Sequence, residues 1–433
     1  MPRESPLSHL RPPAAGRAAL EKLGAKYPDL VSWIDQEQRL NDRIQSTEYC
    51  SIEPTRVPPE FWPERQPVFW LPELEAPKDR FRFFRNPARP LPWYLEGSRP
   101  DFYSYLVHPL SVRYFLARDV KGARWKKPRF LATPMASHRS LLAWDPRSDM
   151  PPFSVKTSLD RWIGALKRNV KLREVRRSVA VSSLLAAIPQ AELHRQGILV
   201  LDEPVGLVPR QTNFGLVTRD IPWRLGAGEE MVPVFSLLAS SCGRPRIVEL
   251  IAASRLAPLD WVDRFIMTPL VYQAYFLGMT EGLVGEMHEQ NVLMEIRDGV
   301  PTRRFWHRDL AGFVFDRELR RLAGKGCGGL PPGTRQRDLG KGVAVFHLVL
   351  RMYLQGSVGY AVGEVLQKHF AIPSRRVAEL YEARVSGLQK LILSANGMRT
   401  TKSCEKDLDR YRQRKLPGKP WRWKSLREAL REW

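Results

Sequence analysis

Cysteine is scarce in this chain: Cys50, Cys242, Cys327 and Cys404 are its four thiols in 433 residues, and no two make a C-x-x-C. Thiols so far apart exclude a disulfide scaffold and a cysteine-ligated zinc site, and are expected to be reduced. Long apolar runs are lacking as well. The one stretch of membrane length, Phe265 to Gly285, is interrupted by Pro269, Gln273 and Glu281 and reads as a buried core helix. Met1-Pro2-Arg3-Glu4 opens no apolar leader, so a secretory signal is not expected and the cytoplasm is the expected compartment. No repeat is evident. There is also no long Lys/Arg block and no zinc-finger, RRM or KH signature, although the formal charge is +23. The scatter of that charge argues against nucleic acid and for a field that holds anionic metabolites.

What is present, 43% apolar and 27% charged residues, describes a globular chain long enough for two or three domains. We expect an α+β protein in three regions. Residues 1–105 start with a helix pair, Ala18 to Leu23 and then Asp29 to Gln45, where Leu30, Ile34 and Leu40 share a face. From Glu53 to Pro100 prolines crowd among aromatics, and that segment is expected to be extended, irregular and wrapped on a surface. Residues 106–230 carry strand-like runs at Phe130 to Met135, Phe153 to Leu159, Ile198 to Leu201 and Phe214 to Val217, following a first one at Phe102 to Pro109. Helices are expected from Asp160 to Asn169, Ser182 to Ala187 and Glu192 to Arg195. Residues 231–433 turn mainly helical, with Val232 to Ser241, a stripe through Leu259, Val262, Ile266 and Leu270, then Val343 to Gln355, Val362 to His369 and Ser374 to Leu393. The basic tail from Lys402 to Trp433 suggests no chemistry.

A hairpin organises the second half. Asn291 to Ile296 and Thr302 to Trp306 flank Asp298-Gly299, the strongest short-range hairpin signal a sequence offers. A two-residue turn sets Arg297 opposite Val300, and the same register places Asn291 opposite Trp306 and His288 opposite Asp309. An imidazole, a carboxamide and a carboxylate at one strand end suit a hard cation, a phosphate, or both. Taken singly, each is as readily a satisfied polar residue or a turn cap. Upstream, Arg139 in Ser137-His138-Arg139-Ser140 can grip a phosphate with two hydrogen bonds while Ser137 adds a contact. Lys156 closes another strand-like run, and Gly164 and Arg168 stand four apart on the face of the expected helix. Such charges embrace a carboxylate or form a solvated basic face.

The order of these motifs resembles one family, the NRPS-independent siderophore synthetases of the IucA/IucC type, collinearly from about Val107 to about Leu350. His108-Pro109 is similar to that family's His-Pro motif, and Thr133-Pro134-Met135-Ala136-Ser137-His138-Arg139-Ser140 to its Pro-Thr-x-Ser-x-Arg-Thr signature. Lys156-Thr157-Ser158-Leu159 through Arg168 resembles its Lys-Leu-Ser-Leu segment, while Leu201-Asp202-Glu203-Pro204 and Val217-Thr218-Arg219-Asp220 match two middle motifs. Gly285-Glu286-Met287-His288-Glu289-Gln290-Asn291 and His307-Arg308-Asp309-Leu310-Ala311-Gly312 resemble its Glu-Ala-His-x-Gln-Asn and Arg-Asp-x-x-Gly pair. Each motif is weak alone; six in order are specific. Gly164 stands where the family usually has a threonine that meets the carboxylate substrate, and family members are considerably longer.

The resemblance implies a hand-like architecture of thumb, antiparallel fingers and mainly helical palm, whose hairpin carries the ATP and Mg2+ residues. It implies an AMP-forming synthetase that activates citrate or another polycarboxylic acid as an acyl-adenylate and passes it to an amine or alcohol, in siderophore or related biosynthesis. On that pattern Ser137 and Arg139 hold phosphate, Lys156 the phosphate or developing charge, and Arg168 with Gly164 the carboxylate. Asn291 and Asp309 hold the metal, His288 bridges phosphate and carboxylate, and Gln290 and Glu286 support them. A homodimer is implied; a membrane is not. Two other readings stand beside this one, a kinase-like phosphotransferase that would release ADP and a non-catalytic nucleic-acid binder.

Overall fold

Period-two alternation along neighbouring strands decides where the charged residues sit. The computed structural model describes residues 16–39, 56–118, 120–163, 166–222, 224–241, 243–327, 330 and 349–395. They fall into two units, one of Met1–Ile188, Leu201–Gly243 and Arg308–Ala311, the other of Pro189–Val200, Arg244–His307 and Gly312–Trp433.

In the first unit β1 (Phe69–Pro77), β2 (Phe81–Arg85), β3 (Phe102–Leu106), β4 (Arg124–Pro134), β5 (Ser140–Trp144), β6 (Phe153–Thr157), β10 (Val205–Pro209) and β11 (Leu216–Arg219) form one sheet in the order β2-β10-β11-β6-β5-β4-β1-β3. All neighbouring strands of this sheet pair antiparallel. One face carries the aromatic core, in which Phe69, Tyr105, Phe130, Val155, Leu207 and Leu216 are buried and Tyr94 stacks on Phe153 at 3.7 Å. The other face takes the helix Leu172–Ala186, whose Val175 joins Val170, Val208 and Val217. Lys156 lies directly across from Val217, so the pleat sends both to the helix-covered face and away from the aromatic core.

Two expectations are corrected here. The proline-rich segment is not a surface wrap: β1 and β2 are strands of the sheet, and Phe61, Phe69 and Phe81 lie in its core. Pro77 ends β1, and Pro72 lies inside it where the register with β4 shifts between Leu71 and Glu73, so the strand accommodates both. Nor is 160–169 a helix. Trp162–Ile163 (β7) and Leu166–Lys167 (β8) pair as a tight hairpin, with Leu159 N donating to Arg168 O at 3.0 Å, so Arg168 has no helical face to share with Gly164. Trp and Ile favour strands; Gly164 lies outside the described residues.

The expected N-terminal helices are Gly16–Lys26 and Pro28–Arg39, with Leu30, Trp33 and Ile34 buried; Leu40 and the stretch to Gln45 lie outside the described residues. Val232 to Ser241 divides into β12 (Glu229–Pro233) and a short helix, Val234–Leu238.

The second unit packs helices Arg246–Ser254 and Pro258–Val262, a single π turn at Asp263–Met267, and Thr268–Glu281, which is buried along most of its length. Among the described residues no helix is long and apolar enough to cross a membrane. β14 (Val292–Arg297) and β15 (Val300–His307) form the expected hairpin, β9 (Ile198–Val200) runs parallel to β15, and β13 (Leu283–Val284) pairs with β16 (Val314–Phe315). Asp298 and Gly299 have φ of 49° and 76°, as a type I′ turn requires, and Arg297 faces Val300. Beyond the turn the register differs from expectation. A bulge between Met294 and Ile296 slides the strands, so Trp306 faces Leu293, pairing ends at Val292 with His307, and Asn291 is not opposite Trp306. The helices Tyr360–Phe370 and Arg375–Ala395 agree with the periodicity; the part of Val343 to Gln355 before Val349, and the basic tail, lie outside the described residues.

Helix and sheet approach closely at Gly215. A Cβ there would meet Val175 Cγ2 at 2.4 Å and the Val170 carbonyl at 2.8 Å. Gly215→Ala should therefore destabilise the protein by about 1–3 kcal/mol in urea unfolding; an unchanged midpoint would refute this packing.

Candidate functional site

In the first unit, side chains from several segments form a largely buried cluster of alternating charge. Lys156 Nζ, at the end of β6, pairs with Asp309 Oδ1; Lys156 is 5% exposed and Asp309 29%. Burial pushes the Lys156 ammonium below its usual range. Burial alone would raise Asp309, but the cations of Lys156, Arg219 and Arg139 outweigh it and hold the carboxyl well below the usual carboxylate range. Asp309 is therefore ionised at any physiological pH.

The rest of the cluster fixes this pair. Arg219, at the end of β11, donates to Glu203 Oε1 through Nε at 3.1 Å and Nη2 at 2.6 Å. The other oxygen of Glu203 accepts from Ser178 and, at 3.1 Å, from the backbone of Leu310. Arg308 reaches both oxygens of Glu37 on the helix Pro28–Arg39, at 2.5 and 3.3 Å, and Trp33 Nε1 donates to Glu37 at 3.1 Å. Arg308 and Leu310 are thus clamped on either side of Asp309, which adopts φ of 62°, a left-handed conformation that Asp tolerates better than most residues. Lys156, Arg139, Arg219 and Arg308 oppose Asp309, Glu203 and Glu37, so the cluster carries one positive charge in excess.

Arg139 belongs to the turn between β4 and β5. Met135 N bonds to Ser140 O at 2.8 Å, the Ser137 hydroxyl accepts from Ser140 N at 3.1 Å, and His138 takes φ of 59°. The turn leaves Ser137 and Arg139 half-buried, and the Arg139 guanidinium donates to the carbonyls of Asn169 at 3.3 Å and Arg168 at 3.5 Å. Of the residues expected to hold phosphate, Arg139, Lys156 and Asp309 interact, with Ser137 on the same turn as Arg139. Arg168 enters this neighbourhood through its backbone, not as the helix partner of Gly164.

The remaining expected residues belong to the second unit. His288 Nδ1 accepts from Gln290 N at 3.2 Å, Asn291 N bonds to His288 O at 2.8 Å, and Asn291 Nδ2 donates to Glu286 O at 3.2 Å. This turn ahead of β14 is held by Tyr353, whose hydroxyl donates to Glu286 at 3.1 Å and whose ring lies 5.7 Å from His288. The Asn291 carboxamide nitrogen is used within the turn, which leaves its oxygen as the acceptor.

Within each unit by itself, the oxygen donors are of the hard kind that suits magnesium. Asp309 and Asn291 each offer a hard oxygen, and among the described residues no group of three or more His, Cys, Asp or Glu is placed to hold a metal in a closed cage. Mg2+ usually takes one or two protein oxygens and completes its shell with phosphates and water.

Glu37, Glu203, Arg219 and Arg308 are the members of the cluster given no role by the sequence. Glu203 and Arg219 stood inside recognisable motifs; Glu37 carried no signal beyond a charged residue on an amphipathic helix. His108 of the His-Pro motif is buried against Phe61 and Phe69, with ring centroids 5.6 Å apart in the latter pair.

Glu37→Ala should cost about 3–5 kcal/mol in urea unfolding, because it leaves the buried Arg308 charge uncompensated. A loss under about 1 kcal/mol would mean that this clamp is unimportant. Burial lowers His108 and His138 from 6.5 to about 3, and His307 from 6.5 to about 4. The unfolded chain takes up these protons first, so their contribution is complete above pH 6.5 and is lost as pH falls towards the folded values. Stability should drop below pH 6.5 by about 1.4 kcal/mol per pH unit for each histidine, and His138→Gln should remove one proton from that slope. Urea midpoints that stay flat from pH 6.5 to 4.5 would contradict it.

Three solved structures resemble this one. The petrobactin biosynthesis protein AsbB from Bacillus anthracis str. Sterne is 18% identical with a TM-score of 0.59, over 75% of this chain and 61% of that one. Aerobactin synthetase IucC from a hypervirulent pathotype of Klebsiella pneumoniae is 17% identical with a TM-score of 0.55, over 76% and 63%. ATP-bound aerobactin synthetase IucA from the same pathotype is 15% identical with a TM-score of 0.62, over 87% and 74%. The matched part of this chain thus spans less than two thirds of the first two proteins. At these identities the likeness is one of fold, a mixed α+β architecture. No curated protein matches the sequence significantly. The IucA / IucC family matches residues 84–239, which include the turn with Arg139, the strand with Lys156 and the Glu203–Arg219 pair, and over that segment the family resemblance read from the motifs holds.

Proposed function

We propose that this protein is an ATP-dependent, AMP-forming synthetase that joins a polycarboxylic acid to an amine or alcohol, with Mg2+ as its metal, in siderophore or related natural-product biosynthesis. One observation carries the reading: a buried cluster with a net positive formal charge, centred on the Lys156–Asp309 pair, with four of its members, Arg139, Lys156, Glu203 and Arg219, in the segment that matches the IucA / IucC family. The ATP-bound state of the similar IucA structure supports the choice of nucleotide. The hand-like arrangement of thumb, fingers and palm remains part of this proposal.

Carboxylate and triphosphate repel one another, so the reaction needs fixed cations that neutralise both and align them. A carboxylate oxygen of the acid attacks the α-phosphorus of ATP, the bond to the β-phosphate oxygen breaks, and pyrophosphate leaves. The amine or alcohol then adds to the acyl carbon, loses its proton, and expels AMP. In this scheme Arg139 and the Ser137 hydroxyl hold phosphate, Arg168 the carboxylate, and His288 bridges the two, with Gln290 beside it. Asp309 and Asn291 supply oxygens to Mg2+, whose chemistry is to neutralise and polarise the phosphates.

The Lys156–Asp309 pair then acts as a placeholder. With nucleotide bound, Asp309 would be the residue to hold the metal, and the Lys156 ammonium would then be left for the charge that builds on phosphate. No buried charge is left bare at any stage, because each exchanges one opposite charge for another.

Hydroxylamine trapping with Mg-ATP and a panel of citrate, its amides and other small polyacids tests the proposal. Acid-dependent pyrophosphate release with formation of a hydroxamate is expected. Arg139→Ala, Lys156→Ala and His288→Ala should each lower that rate at least about 100-fold while retaining the fold. Release of ADP instead would favour a phosphotransferase, and full activity in folded variants would remove these residues from the site.

A further inference from the structure

The His-Pro motif has no part in the adenylation scheme above, yet His108 is buried, its ring 5.6 Å from that of Phe69 and 6.1 Å from that of Phe61. A polar ring is costly among aromatics unless its nitrogens are engaged. Both are. Nδ1 accepts from Leu110 N at 3.2 Å, where the chain enters the short 3-10 helix Pro109–Ser111. Burial lowers the pKa of His108 and keeps the ring neutral, so a ring that accepts at Nδ1 carries its proton on Nε2. The remaining hydrogen bond of the imidazole goes to the backbone of His138, whose carbonyl is the acceptor.

His138 is the left-handed residue of the turn between β4 and β5. It takes φ of 59° and is buried, while Ser137 and Arg139 on either side of it are half-buried. That conformation is disfavoured for a residue with a Cβ and persists only where its surroundings fix it. On the Arg139 side β6 does so: Thr157 donates to the Arg139 carbonyl through its backbone at 2.8 Å and its hydroxyl at 3.2 Å. On the other side His138 N donates to Met135 O at 2.9 Å, and His108 takes the His138 carbonyl. The segment that carries His108 is itself anchored. Ser111 Oγ donates to the Ser158 carbonyl and accepts from Asp160 N, each at 2.9 Å, which ties it to the chain just past Thr157.

We propose that His108 is a positioning residue: through the His138 carbonyl it sets the left-handed turn that presents the Ser137 hydroxyl and the Arg139 guanidinium. The inference rests on the phosphate role proposed above for those two side chains. It also divides the work within the His-Pro pair, since Pro109 starts the 3-10 helix whose Leu110 amide orients the ring. A ring that is 2% exposed acts only through the backbone it holds.

Two variants separate that role from packing alone. His108→Gln keeps a donor near the position of Nε2, whereas His108→Asn keeps an acceptor for Leu110 N and is too short to reach His138. Hydrogen exchange of the whole protein without nucleotide should speed up at least about tenfold from Ala136 to Ser140 in His108→Asn and stay near wild type in His108→Gln. ATP affinity, measured by calorimetry without the acid substrate, should fall at least about tenfold in His108→Asn and less than about threefold in His108→Gln, although both lose packing against Phe61 and Phe69. In the wild type, 15N-histidine NMR should show His108, identified by the signals missing from His108→Gln, as the Nε2–H tautomer. An Nδ1–H tautomer, unchanged exchange in His108→Asn, or equal losses in both variants would overturn the proposal. No ATP binding by the wild type, with exchange and tautomer as expected, would overturn the nucleotide reading while supporting His108 as the residue that sets the turn.

Discussion

Burying a charge costs several kcal/mol unless another charge and its hydrogen bonds compensate it, and the first unit meets that constraint with a closed alternation of cations and carboxylates. Lys156 faces Asp309, Arg219 faces Glu203, and Arg308 faces Glu37. The pairs are linked, because the Glu203 carboxylate that receives Arg219 also receives the backbone of Leu310, one residue past Asp309. Removing any member leaves a partner exposed to a low-dielectric surrounding, which makes the cluster rigid. Its formal charges sum to one positive, which is the charge that the proposed anionic substrates would offset.

The sheet exists, in this light, to hold those charges off the solvent. Antiparallel register puts Lys156 beside Val217 on one face, while Val155 and Leu216 go to the aromatic core on the other. The helix Leu172–Ala186 covers the charged face closely because Gly206 and Gly215 let Val175 approach the backbone. Thus two glycines without any chemistry of their own set how deeply Lys156 is buried, and burial in turn sets the strength of its pairing with Asp309. The N-terminal helix makes its own contribution through Glu37, so a segment outside the matched family region takes part in the site.

Much of this could be read from the sequence where local preference and tertiary structure agree. Asp298-Gly299 gave the turn, the periodicity of residues 375–395 gave a helix, and Arg139, Lys156 and Asp309 were singled out from scattered motifs that the fold brings together. The failures have physical causes. Prolines around Phe69 and Phe81 disguised two sheet strands, one of which takes Pro72 at a register shift. Trp162–Ile163 pairs with Leu166–Lys167 where a helix from Asp160 to Asn169 was expected. The bulge before Ile296 moved the far end of the hairpin by a slip that no local residue announced. Glu37 was invisible because its role depends on an ion pair with Arg308, 271 positions along the chain.

The account stands or falls on where the acid attacks the nucleotide. The most direct measurement follows 18O from a labelled carboxylic acid substrate through one turnover with Mg-ATP and the amine or alcohol acceptor. Attack at the α-phosphorus predicts label in the phosphate of AMP, with unlabelled pyrophosphate. Label in orthophosphate, accompanied by ADP, would mean attack at the γ-phosphorus and would contradict the adenylation assigned to the Lys156–Asp309 cluster.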